Sequence, residues 1–150
     1  EIYNHSCHIE AQRGFGTATA DYLLQENNKI FLTATDDSHF RMQDFGGGWV
    51  MVAADNLSEI SILNALKNGQ YYSTTGIEIF EFEMNNRKVN IQCSPSNQVC
   101  IVGQGAKSMS QNGKNITNAE FDLIDYPSDW FRVSIANDSG KFAWTNPIWF

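Results

Sequence analysis

The chain has 150 residues and a formal net charge of −7, with an isoelectric point of about 4.8. That length gives one domain with a real core, or a small domain plus part of another. Its ten Lys and Arg are scattered, which excludes the basic patch that a nucleic-acid backbone or an anionic membrane would need, and no apolar run is long enough to cross a bilayer.

Glu1-Ile2-Tyr3-Asn4 reads as a short strand already under way, with no initiator Met, which points to a removed leader or to a piece of a longer protein. His5-Ser6-Cys7-His8-Ile9-Glu10 reads as a loop. Its two His and one Cys lie too close together for a common zinc spacing. Thr17–Gln25 has helical spacing at Ala18, Tyr22 and Leu23 or Leu24, and Glu26-Asn27-Asn28 ends it. Ile30–Ala34 is the next strand, so strand, helix and strand make a βαβ unit with parallel strands.

The apolar run then stops at Thr35-Asp36-Asp37-Ser38-His39. Polar groups at the carboxyl end of a parallel strand sit where α/β folds place their chemistry. In an extended chain Asp37 and His39 leave the same face, offering one oxygen and one nitrogen to a single metal. The same residues also read as an Asp capping the next turn beside a surface His.

Gly46-Gly47-Gly48 allows a tight turn or a close backbone approach, but no Lys-Ser/Thr follows to make a P-loop. Trp49–Ala54 is a buried strand. Asn56-Leu57-Ser58-Glu59 opens a helix with a capping-box Glu, and Gly69 ends it. From Ile77 the pattern alternates with period two: Ile77–Met84, Lys88–Cys93, Val99–Val102, Ala119–Ile124 and Trp130–Ala136, with hairpin turns at Asn85-Asn86-Arg87 and Asn137–Gly140. Gly103–Asn118 reads as a polar loop. The tail Ala143–Phe150 is too apolar to stay in solvent and is expected to pack back as a strand, with Pro147 at an edge. The fold class read here is α/β up to residue 76, then an antiparallel β-sandwich over 77–150.

Cys7, Cys93 and Cys100 are odd in number and lack a CxxC spacing, so reduced thiols and a cytoplasmic setting are expected. The Asn-x-Ser/Thr triplets at Asn4, Asn56, Asn115 and Asn137 are expected to be unmodified.

Taken together, these residues resemble the C-terminal part of PHP-domain proteins, the polymerase and histidinol phosphatase superfamily, closest to the CehA/McbA-type branch. The likeness lies in Asp36-Asp37-Ser38-His39, in Gly47–Val52, in Ala65–Gly76 with its Ala-Leu-x-x-Gly-x-x-Tyr-x-x-Thr-Gly pattern, and in Arg132–Ile148. It implies the last strands and helices of a (β/α)7 barrel over 1–76, continuing upstream of this chain. It also implies a hydrolase acting on an ester or phosphoester through water activated by divalent Zn, Mn or Fe. Asp37 and His39 would be metal ligands, and Asp36 would position a ligand or the substrate. The chain departs from the family in lacking the His-x-His and the middle-strand ligands. It also lacks the Trp before Asp21, and His8 stands where an acidic residue is usual. With two ligands alone the chain is expected to be inactive and to bind metal weakly. The alternative reading is a binding or oligomerisation module with a vestigial metal motif; Trp130, Trp144 and Trp149 could line its ligand surface, but are expected first as sandwich core and a lid over the barrel.

Overall fold

Strand, helix, strand is what the first 35 residues build, in a computed structural model that describes residues 1–150. β1 (Tyr3–Asn4) lies parallel to β2 (Ala34–Thr35), with Tyr3 opposite Ala34 and Asn4 opposite Thr35. Between them come α1 (His5–Ala11) and α2 (Thr17–Gln25). α2 occupies the span its periodicity predicts, and buries Ala20 and Leu24, which are four apart and so share one face. α1 replaces the loop expected over His5–Glu10. It lacks an apolar stripe and is fixed at its ends: the Asn4 side chain accepts from the Cys7 amide, and Gln12 closes it in a left-handed conformation. The strand expected over Ile30–Ala34 is reduced to Ala34–Thr35, because its ladder partner β1 is itself two residues long.

β3 (Trp49–Val52), α3 (Glu59–Lys67) and β4 (Tyr71–Thr74) follow. Ser58 caps α3 by accepting from the Ser61 amide, and the Asn56 side chain in turn accepts from the Ser58 amide. Gly69, at φ +70, turns the chain out of the helix. β4 then runs antiparallel to β3, with Trp49 opposite Thr74 and Val52 opposite Tyr71. This pairing corrects the barrel expectation. A (β/α)7 barrel needs each helix to lead into a strand parallel to the one before it, whereas α3 leads into an antiparallel neighbour. The strands are mostly antiparallel, the helices are three and short, and no barrel is formed.

The chain divides into two compact units, Glu1–Thr75 and Gly76–Phe150. The second contains β5 (Ile79–Asn85), β6 (Lys88–Gly103), β7 (Ser108–Asp122), β8 (Trp130–Ala136), β9 (Phe142–Thr145) and β10 (Ile148–Trp149), and no helix. β6 is its centre. The early part of β6 pairs with β5, Phe82 opposite Ile91, and the late part pairs with β8, Val99 opposite Ile135. β7 runs along both parts, from Lys88 opposite Asp122 to Val102 opposite Ser108. These strands are hydrogen-bonded into one open antiparallel sheet, where two facing sheets were expected.

Two further expectations change here. The break between Lys88–Cys93 and Val99–Val102 is a bulge that carries β6 through Pro95, a place where a missing N–H is tolerated. The polar loop expected over Gly103–Asn118 is mostly β7, made a strand by its partner rather than by its own composition. Asn86 and Arg87, at φ +48 and +62, make the two-residue turn between β5 and β6.

Alternate residues of β6, namely Val89, Ile91, Cys93, Val99 and Ile101, are buried, as are Trp130, Phe131, Val133 and Ile135 of β8. Trp130 and Trp144 are 0% and 2% exposed, so two of the three tryptophans considered for a binding surface are core. The tail packs back as β10, with Ile148 opposite Phe131, and the Arg87 guanidinium lies 3.9 Å from the centre of the Phe150 ring. No helix is long and apolar enough to cross a membrane.

Candidate functional site

Beyond Thr35 the chain leaves the ladder, and side chains take over the work of fixing the backbone. The Asp36 carbonyl accepts from the Ser6 amide at 3.0 Å. Its carboxylate accepts three successive amides, from Gly46 at 2.7 Å and from Gly47 and Gly48 at 2.8 Å each. The glycines are what allow this approach: a side-chain carbon on Gly47 would strike the His5 ring, and one on Gly48 would meet the Thr35 carbonyl. Burial alone would raise the Asp36 pKa, but the three amides outweigh it and lower it, with His5 adding a smaller attraction.

Asp37 has φ +51, a left-handed conformation uncommon outside glycine. This turn sends its carboxylate to two neighbours. Oδ2 accepts from Asn4 Nδ2 at 3.1 Å, and Oδ1 lies 3.7 Å from His39 Nε2. Both side chains are about half exposed, 48% for Asp37 and 59% for His39. The two residues expected to share a metal are therefore together, but through a turn rather than through strand alternation.

Asn4 is buried and works at three places. Its Oδ1 caps α1 at Cys7 N, 2.9 Å away, and its Nδ2 donates both to Asp37 and to Glu1 Oε2 at 3.0 Å. The Thr35 hydroxyl also donates to Glu1. These donors, Thr35 first and then Asn4, hold the Glu1 pKa below its usual range.

The fourth carboxylate is Asp44, which has no exposed surface. Its Oδ1 accepts from Ser38 Oγ at 2.7 Å, and its Oδ2 from His39 N at 2.8 Å and Ser6 Oγ at 3.1 Å. The Ser38 and His39 donors, aided by Ser6, overcome its burial and bring its pKa down to about 2.

The remaining candidates, His5, His8 and Cys7, make no hydrogen bond to Asp36, Asp37 or Asp44. His5 Nδ1 is bonded to the Tyr3 hydroxyl at 3.1 Å. The His8 ring packs against Tyr3, centroids 5.7 Å apart, and edge-on against Phe15 at 5.3 Å. Cys7 is an exposed free thiol. No set of three or more His, Cys, Asp or Glu is placed to hold a metal ion. Asp37 and His39 approach each other at 3.7 Å, and no third such residue joins them. Sequence reasoning missed Asn4, Ser6 and Asp44. Asn4 carries a legible signal, since an Asn before a helix is a natural cap, but the helix itself was not read. Compared with family models, with curated proteins and with solved structures, the chain has no match.

Proposed function

We propose that Asp37 and His39 are two ligands of a divalent-metal centre that hydrolyses a phosphoester, and that Asp36 positions the glycine segment beside it. The observation that carries this reading is the 3.7 Å approach of a carboxylate oxygen to an imidazole nitrogen on half-exposed side chains. One ion at ~2.1 Å from each donor spans such a gap. The mixed nitrogen and oxygen donors suit Zn²⁺, Mn²⁺ or Fe²⁺. When bound, such an ion acidifies a coordinated water and polarises a phosphoryl oxygen.

The chain's own residues prepare the pair. Asn4 holds Oδ2 of Asp37, leaving Oδ1 turned toward His39. Asp36 gathers Gly46, Gly47 and Gly48 around itself, so its oxygens serve the backbone. The family likeness of Asp36–His39 and Gly47–Val52 supports the same reading. Further ligands and the substrate contacts would have to come from residues outside this cluster. A cytoplasmic setting is part of the proposal and draws on the three free thiols.

The test is elemental analysis and phosphomonoester hydrolysis by the native protein carrying Asp37→Ala, His39→Ala or both. Each single variant is expected to lose bound metal, and hydrolysis to fall at least about 100-fold. A double variant that keeps its metal and its rate overturns the reading.

A further inference from the structure

We propose that Asp44 is a positioning residue for Asp37 and His39: a buried carboxylate that locks the turn carrying both side chains and ties it to α1. The functional meaning of this rests on the metal-centre reading, while the geometry stands without it.

Asp44 is 0% exposed, yet its three hydrogen-bond partners are all neutral: Ser6 Oγ, Ser38 Oγ and His39 N. A buried charge is costly unless its oxygens are filled by donors. What the charge supplies is direction. An ionised carboxylate only accepts, so all three hydrogens must point at it. The Ser38 hydroxyl is thereby committed as a donor to Asp44, and its oxygen faces the Phe40 amide at 3.4 Å. Ser38 and His39 are thus fixed between Asp37 at φ +51 and Phe40 at φ +54, two conformations that non-glycine residues keep only where their surroundings enforce them. Ser6 completes the lock, since its amide donates to the Asp36 carbonyl and its hydroxyl to Asp44. Were Asp37 to relax to an ordinary negative φ, its carboxylate would leave both Asn4 and His39. Asp44 touches neither metal-facing atom and acts through the backbone.

The experiment uses the whole 150-residue chain, isotope-labelled, with Asp44→Asn, the milder Ser38→Ala, and His39→Ala as control. Without metal, two NMR signals report the turn: hydrogen exchange of the His39 amide, and the strong intraresidue HN–Hα NOE that a positive φ gives Asp37. In Asp44→Asn the His39 amide should exchange about tenfold faster and the Asp37 NOE should weaken, with the β8 amides unchanged. Ser38→Ala should move both signals the same way, by less. Mn²⁺ alone is then titrated. Broadening of the His39 ring signals should need about tenfold more Mn²⁺ in Asp44→Asn, the size of effect seen when groups behind a ligand are lost.

If both exchange and NOE are unchanged in the two variants, the positioning role is wrong. If they change as expected but Mn²⁺ does not broaden the wild-type His39 ring signals, or broadens the Asp37 amide equally in His39→Ala, the metal reading fails and the lock stands. If Mn²⁺ does broaden the wild-type His39 signals, and broadens those of Asp44→Asn at the same concentration, the lock has no bearing on the ligands, and the proposal is overturned. Should Asp44→Asn fail to fold, Ser38→Ala carries the same three readouts.

Discussion

Along β8, Trp130, Phe131, Val133 and Ile135 have no exposed surface, and the strand is paired to β6 from Phe131 to Ala136. From Asp36 to Gly48 there is no regular structure at all, and the fully buried side chain is a carboxylate. Apolar burial has no direction, so β8 is held by how much it buries and tolerates small changes of angle. The carboxylates of Asp36 and Asp44 act through single hydrogen bonds whose directions are fixed. The second device places a backbone turn where the first cannot, and it works only while the carboxylates stay ionised.

The largest expected effect breaks the comparison on the apolar side. Trp130→Ala removes a fully buried indole from the core of the second unit and should cost about 3–5 kcal/mol, read as a fall in the urea midpoint of the β-sheet circular dichroism. A loss below about 1 kcal/mol would mean that β8 is not held by burial. Next comes Asp36→Ala, which leaves the Gly46, Gly47 and Gly48 amides without their acceptor and should cost about 1–3 kcal/mol. The loss should appear locally, as faster hydrogen exchange at the three glycines while the β8 amides keep their protection. Equal loosening of β8 would erase the distinction drawn here.

The smallest change in signal is expected from pH, and it has opposite signs in the two units. Asp44, at about 2, and Asp36, also lowered, contribute stability that is complete above the ordinary carboxyl range near 4 and is lost as pH falls toward 2. Tyr126 runs the other way. Its hydroxyl donates to the Lys107 carbonyl at 2.9 Å, and burial pushes its pKa from 10.0 up to about 12. Its contribution is complete below pH 10 and is lost as pH rises through 12. An NMR titration should show the Ser38 and His39 amides broadening in acid before those of β8, and the Lys107 and Tyr126 amides moving in alkali. Reversal of either order would contradict the assignment of the two devices.

These two devices also explain what could be read from the residues. β5 and β8 announce themselves by alternation, and α2 and α3 by apolar spacing between end signals. The first part of β7 does not, because Gln111, Asn112, Lys114 and Asn115 carry no apolar pattern and become strand only opposite β6. The barrel expectation came from the family resemblance and fails at β4, where α3 returns the chain antiparallel to β3. Asp37 and His39 lie 3.7 Å apart through the left-handed Asp37, not through the extended strand from which their pairing was read. Asp44 left no trace in any pattern, since a buried carboxylate is recognised only by the hydroxyls and amide that the fold brings to it.

β7 has a consequence for how the molecule behaves in a crowded solution. It pairs with β6 along one side, so its other side offers backbone groups to any passing strand. Such a long border invites runaway stacking of one chain on the next. Between Ser110 and Asn115 every side chain is exposed and none is apolar, and the ladder is interrupted by a bulge where Asn115 takes φ +53. An incoming chain would find an uneven register and nothing greasy to cover. The segment that looked least like structure carries the polar surface and the bulge that work against edge pairing.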